Sequence, residues 1–220
     1  MRLMAQLILA SALLYASPTF VWASGDRALL DFDLQTDEAT LQRGAEVFTN
    51  LCMMCHSLKY VKYNSLTQVG FTEDDIRRLQ RDRQLFDPLS SMMTAEATQT
   101  VFGMHPPDLS MAAYAYEGGA QYIYSLLLSY EKKADGTIDN RLFSGTKMPD
   151  PFAYSVQANE QEKSLLRAKA ADVASFLQWT ADPHAQERYT TGFYVIAYLI
   201  LLTVLFYLVK RRVWARLDAK

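Results

Sequence analysis

The sequence predicts a mostly α-helical domain, exported and tethered by a single C-terminal transmembrane helix. Three observations predict it: an apolar leader with a basic start, apolar residues recurring at helical spacing in two distant segments, and one uncharged run of spanning length near the C-terminus. The chain has 220 residues, half of them hydrophobic, and the part between leader and anchor is the size of one domain.

The leader comprises Met1-Arg2, an apolar stretch from Leu3 to Tyr15, and Val21-Trp22-Ala23 before the polar Ser24-Gly25-Asp26. That order matches a secretory signal peptide of residues 1–23, cut after Ala23; the alternative is an uncleaved anchor helix. A mitochondrial transit peptide, rich in Arg and Ser, does not match. Residues 24–190 then form the exported domain. Thr191 to Val209 carries no charge and is followed at once by Lys210-Arg211-Arg212. Basic residues behind a span of this length place the tail, 210–220, in the cytoplasm and the domain before it on the outer side of the membrane. Tyr194, Tyr198, Tyr207 and Trp214 are available as interfacial aromatics.

The net charge of −2 conceals an asymmetry. Setting aside Arg2 and the tail, with its five basic residues and Asp218, leaves 16 basic against 23 acidic residues, a net −7 on the exported part. Such a surface argues against nucleic acid and would draw in a basic partner, although ordinary solubility explains it equally well.

Within the domain, Leu41, Ala45, Val47, Phe48 and Leu51 form a near-helical stripe that leads into the motif Cys52-Met53-Met54-Cys55-His56. Gly44 inside that helix is costly unless something approaches closely there. Cys52 and Cys55 are the only cysteines. In an exported chain, two thiols followed at once by a histidine point to covalent attachment of haem, one thiol to each vinyl group, with His56 beneath the ring as an iron ligand. A thioredoxin-like pair would need a βαβ surround, a zinc site would need further ligands, and a plain disulfide remains a third reading.

The sixth iron position decides between a closed electron carrier and an open, substrate-binding haem. Met53 and Met54 belong to the attachment loop, and Met111 reads as core. Met148, in Gly145-Thr146-Lys147-Met148-Pro149-Asp150-Pro151, sits in a loop stiffened by prolines, which lowers the entropy lost on ligation. Met104 comes next, and His105 would make a bis-histidine alternative.

Of the remaining segments, Thr72-Glu73-Asp74-Asp75 followed by Ile76, Leu79 and Leu85 reads as a capped helix. The charges of Arg77, Arg78, Arg81, Asp82 and Arg83 read as a solvated face. Lys132 to Thr137 reads as a turn-bearing loop. Ser164 to Trp179 places Leu166, Ala170, Val173 and Leu177 on one helical face, with Leu165 and Phe176 beside it and Pro183 beyond its end. Two amphipathic helices packed together near a covalent haem suit a cytochrome c-like domain.

Cys52-Met53-Met54-Cys55-His56-Ser57-Leu58-Lys59-Tyr60-Val61-Lys62-Tyr63-Asn64 resembles the haem-attachment segment of the cytochrome c1 family. Further pieces resemble it in order: Pro106-Pro107-Asp108-Leu109-Ser110, Gly118-Gly119 through Leu127, Met148-Pro149, and Phe176 through Pro183 ahead of the single anchor. The resemblance covers nearly the whole mature chain. It implies a haem c subunit of the bc1 complex in the bacterial inner membrane, with its haem domain in the periplasm. The chain would not be an enzyme by itself. Its implied partners are cytochrome b, the Rieske iron-sulfur protein as electron donor and a cytochrome c as acceptor, which the acidic surface could dock. It also implies Met148 as the second axial ligand beside His56, and Pro106, Pro107 and Tyr122 as haem-packing residues. The alternative is another anchored c-type cytochrome serving a terminal oxidase.

Two features depart from the family. Tyr114 and Tyr116 stand where members carry arginines, one of them near a haem propionate, and the connections from Phe86 to Met104 and after Met148 are shorter.

Overall fold

The computed structural model describes residues 28–217; the predicted leader, residues 1–23, lies outside them. Helix α1 (Glu38–Asn50) begins where the Asp37 carboxylate accepts the Thr40 N–H and so satisfies one of the first-turn donors. Its buried face, Leu41, Ala45 and Phe48, lies against α6 (Glu160–Ala181), which contributes Ala170, Val173, Ala174, Phe176 and Leu177. Phe48 and Phe176 meet with ring centroids 5.9 Å apart, and Arg43 forks onto both carboxylate oxygens of Asp172 at 2.8 and 3.0 Å.

Gly44 explains how the two helices come so close. A Cβ placed there would stand 2.2 Å from the Asp172 carbonyl oxygen and 2.7 Å from the Phe176 Cβ. Neither neighbour is a movable side-chain tip, so the helices themselves must separate. Gly44→Ala is expected to lower stability by ~1–3 kcal/mol even after alanine's helix-propensity gain of ~1 kcal/mol. Thermal unfolding measures this, and an unchanged midpoint would contradict the close crossing.

Between these helices the chain forms β1 (Leu58–Lys62), α2 (Glu73–Gln80), β2 (Pro88–Leu89), α3 (Ala95–Phe102), α4 (Ala112–Ala115), α5 (Gly119–Leu128) and the hairpin strands β3 (Tyr130–Lys132) and β4 (Ile138–Asn140). The pairs β1 with β2 and β3 with β4 are antiparallel two-stranded ribbons, so no βαβ unit occurs among the described residues. Helix α2 opens with a complete capping box: Asp75 N–H donates to Thr72 Oγ1, and Thr72 N–H to the Asp75 carboxylate. Helix α5 packs on α6, and the segment before α1 is strapped across it. Leu30 N–H donates to Ser125 Oγ at 2.8 Å, and Phe32 stacks on Tyr124.

Helix α7 (Ala185–Leu217) contains the predicted span, 191–209. It includes an 18-residue stretch of mean hydropathy 2.4, none of which is buried against the protein. Length and apolarity suffice to cross a membrane, and its uncovered apolar side chains need an apolar solvent.

Three sequence expectations change. Met111, read as core, is 40% exposed at the start of α4, because the chain before that short helix bends to follow β1. Leu85 lies beyond α2, which ends at Gln80, and is exposed. Arg83, read as solvated, turns inward to donate from Nη2 to the Ser91 carbonyl at 3.0 Å. The loop from Lys132 to Thr137 is the tip of the β3–β4 hairpin, whose strands are too short and polar to show an alternating pattern.

Candidate haem site

The candidate thiols open and close the tight 3-10 turn Cys52–Met54: Cys52 begins it, one residue after α1, and Cys55 caps its end. Cys55 N–H and His56 N–H both donate to the Cys52 carbonyl, at 3.1 and 2.8 Å, which folds the motif into one compact loop. Met53 points into the core, only 1% exposed, while Cys52 and Cys55 remain half-buried and unjoined. Burial pushes the Cys52 thiol up to about 12 and raises the Cys55 thiol as well. Among the described residues no cluster of His, Cys, Asp and Glu could hold a metal ion.

The His56 ring is oriented by a backbone group 51 residues away: Nδ1 lies 2.8 Å from the Pro107 carbonyl oxygen. A carbonyl only accepts, so Nδ1 carries the proton and Nε2 keeps a free lone pair. Desolvation lowers the His56 pKa, which favours the neutral ring needed for ligation. The segment carrying Pro107 is itself clamped. Leu109 N–H donates to the Ser57 carbonyl, Lys59 N–H to Asp108 Oδ2, and Tyr60 N–H to Ser110 Oγ, at 2.9, 2.9 and 3.1 Å. Pro107 thus orients the histidine through its carbonyl. Pro106 is half-buried beside Cys55 in a cleft of about 210 Å³.

Met148 packs, half-buried, against the same hydrophobic core as Cys52. Its loop is tied down from the hairpin: Tyr130 Oη donates to the Met148 carbonyl at 3.1 Å, and Met148 N–H to Thr146 Oγ1 at 3.2 Å. Asp139 on β4 secures the approach, accepting from Lys133 Nζ, Ser144 Oγ, Gly145 N–H and Asn140 N–H. Those donors, Lys133 first, hold the Asp139 carboxyl far below the usual carboxylate range. A depressed folded pKa contributes stability above the ordinary value of 3.8 that is lost as pH falls through it toward the folded value. Asp139→Asn is expected to lower the thermal midpoint at neutral pH and to flatten its decline below pH ~4; parallel melting curves at the two pH values would contradict this. Nothing in the sequence links Asp139 or Tyr130 to Met148, because the contacts span several residues of irregular loop.

The other candidates are placed differently. Met104 is 46% exposed, and His105 is tied through Nδ1 to Thr98 and lines the cleft beside Cys55. His184 lies next to Glu187 at the start of α7. Tyr114 Oη donates to Asp182 Oδ2, which also pairs with Arg188 of α7, while Tyr116 stacks on Tyr122 at 5.0 Å between centroids. Tyr114 is thereby committed to the junction between domain and anchor.

Two unjoined thiols on one turn, a neutral imidazole with Nε2 free and a thioether on the same core form a donor set that fits haem c. Comparison with known proteins agrees. The model of the Cytochrome C1 family matches residues 31–217. Cytochrome c1 of Allochromatium vinosum is 31% identical over 96% of this chain and 98% of its own length. Cytochrome c1 of Rhodospirillum rubrum is 29% identical over 81% of this chain and 82% of its own. A longer relative named cytochrome b/c1, from Bradyrhizobium diazoefficiens, is 26% identical over 81% of this chain and 33% of itself. With a family match across nearly all the described residues, and a relative aligned from end to end, this chain belongs to the cytochrome c1 family, whose proteins carry covalently bound haem c.

Proposed function

We propose that this chain is the haem c electron-transfer subunit of a bc1 complex, taking one electron from the Rieske iron-sulfur protein and passing it to a cytochrome c. The observation that carries the reading is the His56 ring, fixed through Nδ1 to Pro107 directly after the turn that bears Cys52 and Cys55. Cys52 and Cys55 would hold the haem through thioethers, and His56 Nε2 and Met148 Sδ would ligate its iron. Bound there, the haem supplies a one-electron couple; a His/Met pair raises its potential and leaves no open position for substrate. The chain's own residues do the rest. Pro107 sets the tautomer and angle of His56, Tyr130 and Asp139 position the Met148 loop, and the core between α1 and α6 keeps water from the buried side.

Residues 24–190 form the periplasmic domain once the 1–23 leader is removed, 191–209 cross the inner membrane, and 210–220 lie in the cytoplasm. The positively charged tail supports that orientation. The relative whose name joins cytochrome b to c1 supports cytochrome b as a neighbour, and the net negative domain supports docking of a basic cytochrome c. The chain is not an enzyme alone; the oxidoreductase is the assembly.

Purification from membranes tests the reading. Cytochrome b and a Rieske protein are expected to accompany the chain, and reduced chain is expected to be reoxidised by added cytochrome c. Recovery with a terminal oxidase, and without those two subunits, would instead support the alternative of an oxidase-linked anchored cytochrome.

A further inference from the structure

A second cavity, of about 220 Å³, opens behind the attachment turn and has no part in the reading above. Its apolar wall is Met53, Leu79 and Met92, with Met92 N–H bonded to the Met53 carbonyl at 2.9 Å. On the polar side, Tyr63 lines the cavity with its ring enclosed, the residue only 1% exposed, and no protein group among the described residues bonds its hydroxyl, which leaves it available to the cavity.

Two arginines share the rim. Arg81 takes φ 55° and ψ −107°, a backbone conformation that a residue with a Cβ adopts only at a cost, and its guanidinium makes no hydrogen bond or ion pair among the described residues. Arg83 is fixed by one hydrogen bond from Nη2 to the Ser91 carbonyl, which leaves its other N–H groups free. Asp82 also lines the cavity; burial raises the Tyr63 hydroxyl pKa, and Arg83 and Arg81 oppose that rise. Two planar cationic donors and one unpaired hydroxyl, set against a sulfur-rich apolar wall, suit a compact ligand with several acceptor oxygens.

We propose that this cavity binds a small oxyanion of phosphate size, held by the guanidinium groups of Arg81 and Arg83 and by the Tyr63 hydroxyl. The anion would pin the loop after α2 to the back of the turn bearing Cys52 and Cys55, joining segments that otherwise meet there through Met53 and Met92. The proposal does not depend on haem attachment.

Calorimetric titration of the full-length protein in detergent with inorganic phosphate, against sodium chloride at matched ionic strength, tests it. Tyr63→Phe removes only the hydroxyl; Arg81→Gly removes the guanidinium and suits the positive φ. Wild type is expected to show one saturable phosphate site, and each variant to bind at least about tenfold more weakly, the loss given by one charge-assisted hydrogen bond. Arg81→Gly is also expected to melt higher than wild type without phosphate, yet to lose the rise in midpoint that phosphate gives the wild type. Absence of saturable binding in wild type, or undiminished affinity in either variant, overturns the proposal.

Discussion

Replacing Cys52 and Cys55 together by serine is expected to abolish covalent haem: the variant should run colourless on a haem-stained denaturing gel, whereas wild type should stain. A serine hydroxyl does not form the thioether, and neither thiol has a substitute, because these are the only cysteines in the chain. The single variants are expected to retain haem through one bond and to accumulate at strongly reduced levels. The loss is not a folding artefact in disguise. Both side chains are half-buried at the edge of the core, while the side chain that fills the interior of the turn is Met53. A double variant that still stains at the wild-type level would remove the basis for assigning these residues.

The second large effect is expected at Met148. Met148→Leu keeps apolar volume on the core that Met148 packs against, so folding should be little affected, by less than ~1.5 kcal/mol. The electronic consequence is much larger. With no sulfur donor, the reduced haem binds carbon monoxide readily, the sulfur-to-iron charge-transfer band disappears, and the potential falls by roughly 0.1–0.3 V within the span of about 0.8 V that axial ligands command. If the band and potential survive in Met148→Leu but vanish in Met104→Leu, the assignment moves to Met104.

Much of this site was legible in the sequence because its signals are local. The Cys-x-x-Cys-His spacing needs one turn, the span before Lys210 needs only apolarity and length, and Gly44 announced a close approach that turned out to be the crossing of α1 over Asp172 and Phe176. What the sequence did not reveal is the support. The group that orients His56 is a main-chain carbonyl, which leaves no trace in residue type, and it comes from a segment clamped by the Ser57 carbonyl and by the side chains of Asp108 and Ser110, whose backbone partners lie about fifty residues away. The anchorage of Met148 by Tyr130 and Asp139 likewise depends on a hairpin whose three-residue strands carry no periodic signal. Met111 misled because apolar neighbours at helical spacing suggest a buried face, whereas α4 spans only Ala112–Ala115 and leaves that side chain outside it.

Tyr114 and Tyr116 follow the same logic. Where a propionate-binding cation was expected from the family, Tyr114 joins Asp182 and Arg188 at the foot of the anchor, and Tyr116 stacks on Tyr122.

Intact-mass spectrometry of the chain purified from membranes, followed by mapping of the modified peptide, tests the central claim most directly. A polypeptide heavier by one haem, with the added mass on the fragment containing Cys52 through His56, is the predicted result. An unmodified mass, or one lighter by the two hydrogens of a disulfide, would contradict it.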